Sequence, residues 1–138
     1  MSPEITNMFD HLMETVPSTK QIGFKARFVR FNGQIIMIPE AEFMALAHVL
    51  AVMWHKSEFT ACVFDIRSFI PVEDRLREMN GGRLSEHLYP TQSIRKLAKR
   101  GILTWSRHTV AGQRHIFEYV VTLNGNVSLS DCGILCIG

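Results

Sequence analysis

Apolar residues recur along this chain at two periods, and the switches between them mark out its elements. Ile5, Met8, Phe9, Leu12, Met13 and Val16 fall at three-and-four spacing, which is a helical stripe. Ser2-Pro3-Glu4 ahead of it supplies a cap, a first-turn proline and an acid, so a helix over residues 3–16 is predicted, stopped by Pro17. Its stripe either docks on the rest of the chain or forms a dimer seam through Met8, Phe9, Leu12 and Met13. The period then becomes two. Phe24-Lys25-Ala26-Arg27-Phe28-Val29-Arg30-Phe31 alternates, Asn32-Gly33 suits a two-residue turn needing positive φ, and Gln34-Ile35-Ile36-Met37-Ile38 returns as a second strand. Pro39 cannot donate to a ladder and ends it. Helical spacing resumes as far as Lys56 through Phe43, Leu46, Ala47, Leu50, Val52, Met53 and Trp54. This broad apolar face predicts the central core helix, with Glu40 and Glu42 in the first turn, where the helix dipole favours acids.

Phe59-Thr60-Ala61-Cys62-Val63-Phe64 reads as a short strand, and a polar helix is predicted over residues 71–79, between Pro71 and Asn80-Gly81-Gly82. Residues 84–88 add one helical turn. The next helix runs from Tyr89-Pro90 to a glycine stop at Gly101, with Ile94, Leu97 and Ala98 as a narrow apolar stripe. At about 100° per residue, Gln92, Lys96 and Lys99 point away from that stripe, flanked by Ser93, Arg95 and Arg100. A strand over 102–107, a turn over 108–113 containing Ala111-Gly112, and a strand over 114–122 predict a hairpin. The apolar tail, 127–138, reads as a further edge strand. Neither a repeat nor linker-like composition appears, so residues 1–138 are expected to form one domain, with 1–18 as its N-terminal amphipathic helix.

Charge changes the picture most. Between residues 83 and 117 lie Arg83, Arg95, Lys96, Lys99, Arg100, Arg107 and Arg114 against a single carboxylate, Glu86. The formal net charge of +2 thus hides a local +6 set against −4 elsewhere. That asymmetry is an electrostatic footprint for a polyanion. The remaining composition narrows the class. At 46% hydrophobic and 20% charged, the 138 residues suit one globular domain rather than a disordered chain. No apolar run approaches the roughly 18 residues of a membrane span, and the first 20 residues lack a basic n-region. Three cysteines do not suit a disulfide framework, so a cytoplasmic setting is expected.

The stretch Thr91-Gln92-Ser93-Ile94-Arg95-Lys96-Leu97-Ala98-Lys99-Arg100-Gly101-Ile102-Leu103, followed by a hairpin with a glycine at its tip, resembles the winged helix-turn-helix superfamily over residues 89–122. Upstream, Phe31-Asn32-Gly33-Gln34-Ile35-Ile36-Met37-Ile38-Pro39-Glu40-Ala41-Glu42-Phe43-Met44-Ala45-Leu46-Ala47 is similar to the strand-to-helix approach of OmpR/PhoB-type effector domains. The two stretches cover little more than a third of the chain. It carries no receiver domain, however, and Asn80 to Tyr89 is longer than a tight helix turn, which leaves the general winged-helix reading. That resemblance implies an α+β winged helix-turn-helix with an N-terminal helix and β-hairpin. It implies a recognition helix in the major groove and a wing on a neighbouring groove or backbone. Gln92 and Lys96 would then reach base edges. Arg95, Arg100, Arg107 and Arg114 would neutralise phosphates, Lys99 would face the duplex beside Gln92 and Lys96, Thr91 and Ser93 would bond a phosphate at the helix N-terminus, and His108 would lie beside the wing tip.

Plainer readings stand beside this one. A basic helix face is often only solvated surface, and winged helices also serve as interaction modules. The same face fits an acidic protein, as in a mobile-element-type inhibitor or adaptor. Cys132-Gly133-Ile134-Leu135-Cys136 has no downstream ligand pair, so no metal or other cofactor is expected. His48 and His55 lie seven apart on one helix, His11 and His87 stand alone, and no nucleophile, phosphate-loop or paired-carboxylate motif appears. Trp54 and Trp105 sit in apolar runs and are expected to pack in the core or on a sheet. The expectation is therefore a non-enzymatic regulator of transcription that binds double-stranded DNA, as a homodimer.

Overall fold

The computed structural model describes every residue except Met1, Ile22, Gly23, Ala111 and Asp131, and excludes the side chains of Lys20, Gln21, Phe24, Ile66 and residues 113–116. Among the described residues the chain is α+β, with four helices and two sheets. Helix α1, Pro3–Thr15, begins where the Ser2 Oγ accepts the Ile5 N–H at 3.3 Å. Phe9, Leu12 and Val16 are buried on the chain's own core, α1 packing on the central helix. The stripe therefore docks internally, and a seam through Phe9 and Leu12 is not available, because both are at most 2% exposed.

Strands β1, Ser18–Gln21, β2, Phe24–Phe31, and β3, Gln34–Pro39, form antiparallel pairs. Asn32 and Gly33 take φ of 50° and 82°, the positive values that the two-residue turn demands. Helix α2, Glu40–Lys56, follows without a break and is buried almost all round, with Phe43, Leu46, Leu50 and Met53 fully inside. Its two first-turn acids do more than meet the helix dipole. The Arg27 guanidinium donates to both Glu40 carboxylate oxygens, at 2.9 and 3.0 Å, and to the Met13 and Val16 carbonyls, at 2.6 and 2.9 Å. One buried arginine thus caps the end of α1 and clamps it to β2 and α2.

Strand β4, Cys62–Asp65, a 3-10 turn, Ile66–Phe69, and helix α3, Ile70–Met79, come next. The strand starts later than its apolar run, and the helix one residue earlier than Pro71 suggests. A second 3-10 turn, Glu86–Leu88, replaces the longer turn expected over 84–88. It leads into α4, Pro90–Lys99, whose end is set by Gly101 at φ +83°. Strands β5, Leu103–Val110, and β6, Gln113–Leu123, build a hairpin that joins β4 in the order β4-β6-β5. The hairpin is longer than expected. Pairing continues past Arg107, with a register shift between Thr109 and Val110, so His108 lies within a strand and not in a turn.

The tail corrects another expectation. Strands β7, Val127–Leu129, and β8, Leu135–Ile137, join the first sheet, and β8 lies inside it, parallel to β2 and antiparallel to β7. Leu135 and Ile137 are buried, so the segment is interior, with β7 as the edge. Gly133, at φ +79°, makes the approach possible: a Cβ there would stand 2.6 Å from the Thr15 carbonyl oxygen at the end of α1.

Candidate nucleic-acid interface

Helix α4 is held by its apolar side. Ile94 and Leu97 are fully buried, and α4 packs on α2 and against β5. Ser93 is also fully buried, and its Oγ has no hydrogen-bond partner among the described residues. The reason is positional: Ser93 is one turn before Leu97, so both fall on one face, and the buried face is wider than the Ile94-Leu97-Ala98 stripe suggests. Ser93 is thereby removed from the candidate contacts. Arg95, Lys99 and Arg100 are exposed, while Thr91, Gln92 and Lys96 are half-buried.

The basic side chains are not equally free. The Arg100 Nε donates to the Glu42 Oε2 at 2.8 Å, and the Glu42 side chain is only 7% exposed, so Arg100 neutralises a buried carboxylate of α2. That tie makes Arg100 a brace between the helices, with its charge already met by Glu42. The Lys96 Nζ donates to the His87 carbonyl at 3.2 Å and leans over the preceding 3-10 turn. Lys99 makes no ion pair among the described residues.

Arg95 and the hairpin meet. The Arg95 guanidinium lies 5.4 Å from the Trp105 ring centroid, and Trp105 in turn packs on Tyr119 at 5.6 Å. Arg107 lies over the Phe117 ring at 4.6 Å. Trp105 and Arg107 are two apart on β5, so both occupy one face of the sheet, with Tyr119 and Phe117 as neighbours across the ladder. The sheet-packing expected of Trp105 is therefore observed, with a cation over its ring. The first stack ties α4 to the hairpin and the second lies within the hairpin, and neither neutralises the guanidinium charge. No family model, curated protein or solved structure matches the chain.

His108 does not share that face. It alternates with Arg107 along β5, its Nε2 lies 2.9 Å from the Ser106 Oγ, and Glu118 sits opposite it in the ladder. A neighbouring carboxylate makes this outer face less suited to a polyanion than the Arg107 face. The side chain of Arg114 lies outside the described residues, so that candidate stays an expectation from the sequence. Elsewhere, Cys132 is exposed and Cys136 half-buried, and among the described residues no group of three or more metal-binding side chains converges. Among the same residues no helix is long and apolar enough to cross a membrane.

Sequence reasoning noted His48 but not its surroundings. His48 on α2 is 1% exposed, and neither ring nitrogen has a hydrogen-bond partner among the described residues. Burial pushes its pKa down to about 4, so the ring is neutral near pH 7. The Phe69 and Phe64 rings flank it at 4.9 and 6.4 Å. A helix buried on every side gives no periodic sign that one of its polar residues faces a cavity.

Proposed function

We propose that this protein is a regulator of transcription that binds double-stranded DNA with α4 and the β5–β6 hairpin, as a homodimer. The observation that carries the reading is the pairing of Arg95 on α4 with Trp105 on β5, next to Arg107 on the same sheet face. It joins the basic helix and the basic hairpin arm into one surface, as a winged helix-turn-helix requires. The element order α2, β4, α3, α4, β5, β6 supports that fold reading too. In this arrangement Gln92 and Lys96 face base edges, while Arg95, Lys99, Arg107 and Arg114 meet phosphates and Thr91 lies near the helix N-terminus. Arg100 and Ser93 are left out for the reasons given above.

The test is affinity for duplex DNA as salt is raised. Counterion release predicts that log affinity falls by about 0.9 per phosphate contact for each log unit of salt. Four cationic contacts per copy therefore give a slope of about −3 to −4, measured by fluorescence anisotropy. No binding at low salt would end the reading and leave docking on an acidic protein as the use of the same surface.

A further inference from the structure

A cavity of about 310 Å³ opens between α1, α2, β4, the first 3-10 turn and α3. Its apolar wall comes from Ile5, Val52, Phe64 and Pro71, and two uncharged polar residues join it. These are His48 and Ser68, whose ring nitrogens and Oγ are buried and unpaired among the described residues. A neutral imidazole offers one donor and one acceptor, and a hydroxyl offers both, so the set can hold a group that also donates and accepts. Buried polar groups are seldom left unmatched, and these three atoms belong to two residues of one cavity wall.

The cavity's charged residues have an excess of cation. Lys56 and Arg67 line it together with Asp65, and all three reach solvent to a large degree. Asp65 is occupied: it accepts from the Arg67 backbone N–H at 2.8 Å and from the side chain at 2.6 to 3.2 Å. Those hydrogen bonds hold its carboxyl below the usual range, so it remains charged and satisfied. The Lys56 Nζ donates to the Val63 carbonyl at 3.2 Å, and an ammonium has three donors to give. A net positive rim over an apolar chamber with a polar patch suits a particular kind of molecule. At this volume, near the lower end of the roughly 300–1,000 Å³ of ligand pockets, it must be about one ring in size.

We infer that this cavity binds a compact organic acid, with an apolar body against Ile5, Val52, Phe64 and Pro71, a hydroxyl or carbonyl bonded to His48 and Ser68, and a carboxylate beside Lys56. None of the lining residues belongs to α4 or to the β5–β6 hairpin, so the site stands or falls independently of DNA binding.

4-Hydroxybenzoate carries all three features and is the probe, with benzoate lacking the hydroxyl and phenol lacking the carboxylate as its controls. At tenfold over its Kd, 4-hydroxybenzoate raises the thermal midpoint of the intact protein by about 3–6 °C. Benzoate and phenol each give less, Lys56→Gln weakens the acid selectively, and His48→Leu removes the difference between 4-hydroxybenzoate and benzoate. In parallel, the His48 ring resonances of histidine-labelled wild-type protein shift on titration, a readout that survives if a variant fails to fold. No midpoint shift in the wild type, or NMR changes confined to the other histidines, would overturn the proposal.

Discussion

His48 shows what a buried polar side chain costs and when the cost appears. Its folded pKa is about 4 against an ordinary 6.5, because burial disfavours the charged ring. Between those two values the unfolded chain takes up a proton that the folded chain refuses, so stability falls as pH drops through that window and is flat above it. The full loss is about 3 kcal/mol, at 1.36 kcal/mol per pKa unit. Urea denaturation at about pH 7 and about pH 4.5 in wild type and His48→Leu measures it. The substitution removes most of the difference between the two pH values. Equal acid sensitivity in both proteins would move the titrating group elsewhere.

At the scale of elements, α4 divides into a bracing side and an exposed side, and the two respond differently to alanine. Arg100→Ala strands the Glu42 carboxylate in the interior and lowers stability by about 1–3 kcal/mol. Arg95→Ala gives up a stack worth about 1 kcal/mol or less at an exposed site but takes a phosphate contact from the surface. Thermal unfolding and DNA affinity measured together separate them: Arg100→Ala moves the first, Arg95→Ala mainly the second, with a shallower salt slope. If both act alike on affinity and neither on stability, the Glu42 tie is incidental. Much of α4 was legible beforehand, since Pro90, Gly101 and the Ile94 and Leu97 spacing act locally. The Asn32-Gly33 hairpin was legible for the same reason. What escaped the sequence was whatever depended on distant partners. Ser93 is buried by a neighbouring helix, Arg100 answers a carboxylate 58 residues away, and β5 runs on because β6 continues to pair with it. The cavity at His48 was invisible because five elements are needed to enclose it.

The whole molecule is built around α2, and α1 is part of that construction. Phe9, Leu12 and Val16 bury in the common core, the Arg27 guanidinium caps the carbonyls at the end of α1, and Arg75 on α3 pairs with Asp10 while lying over Phe9. Each large apolar side chain so buried contributes about 1.5–3 kcal/mol, which together rivals the stability of a whole domain. A chain lacking residues 1–16 is therefore expected to unfold, and not merely to lose a partner. Circular dichroism and light scattering on the intact and shortened chains check this together with the dimer. A folded truncation would deny α1 its place in the core, and a monomeric intact chain at high concentration would refute the dimer. Any seam has to lie elsewhere; Ile35 and Met37, 53% and 46% exposed, are two exposed apolar side chains on one strand, β3.

The parallel pairing of β2 with β8 sets a timetable for folding. Arg30 and Phe31 meet Cys136 and Ile137 across more than a hundred residues, whereas the β2–β3 and β5–β6 hairpins close over turns of two. Loop-closure entropy favours the local hairpins early and leaves the distant pair to the end. Until β8 arrives, part of one β2 edge has no strand beside it, and such an edge can recruit another chain. Weakening β8 with Ile137→Ala should accordingly speed unfolding while leaving the folding rate almost unchanged, as read from the two limbs of a chevron plot. A slowed folding limb would mean that the two ends of the chain meet early. If β8 does come last, crowding and temperature would act on yield through this interval, and the sheet's last strand would govern how much protein escapes aggregation.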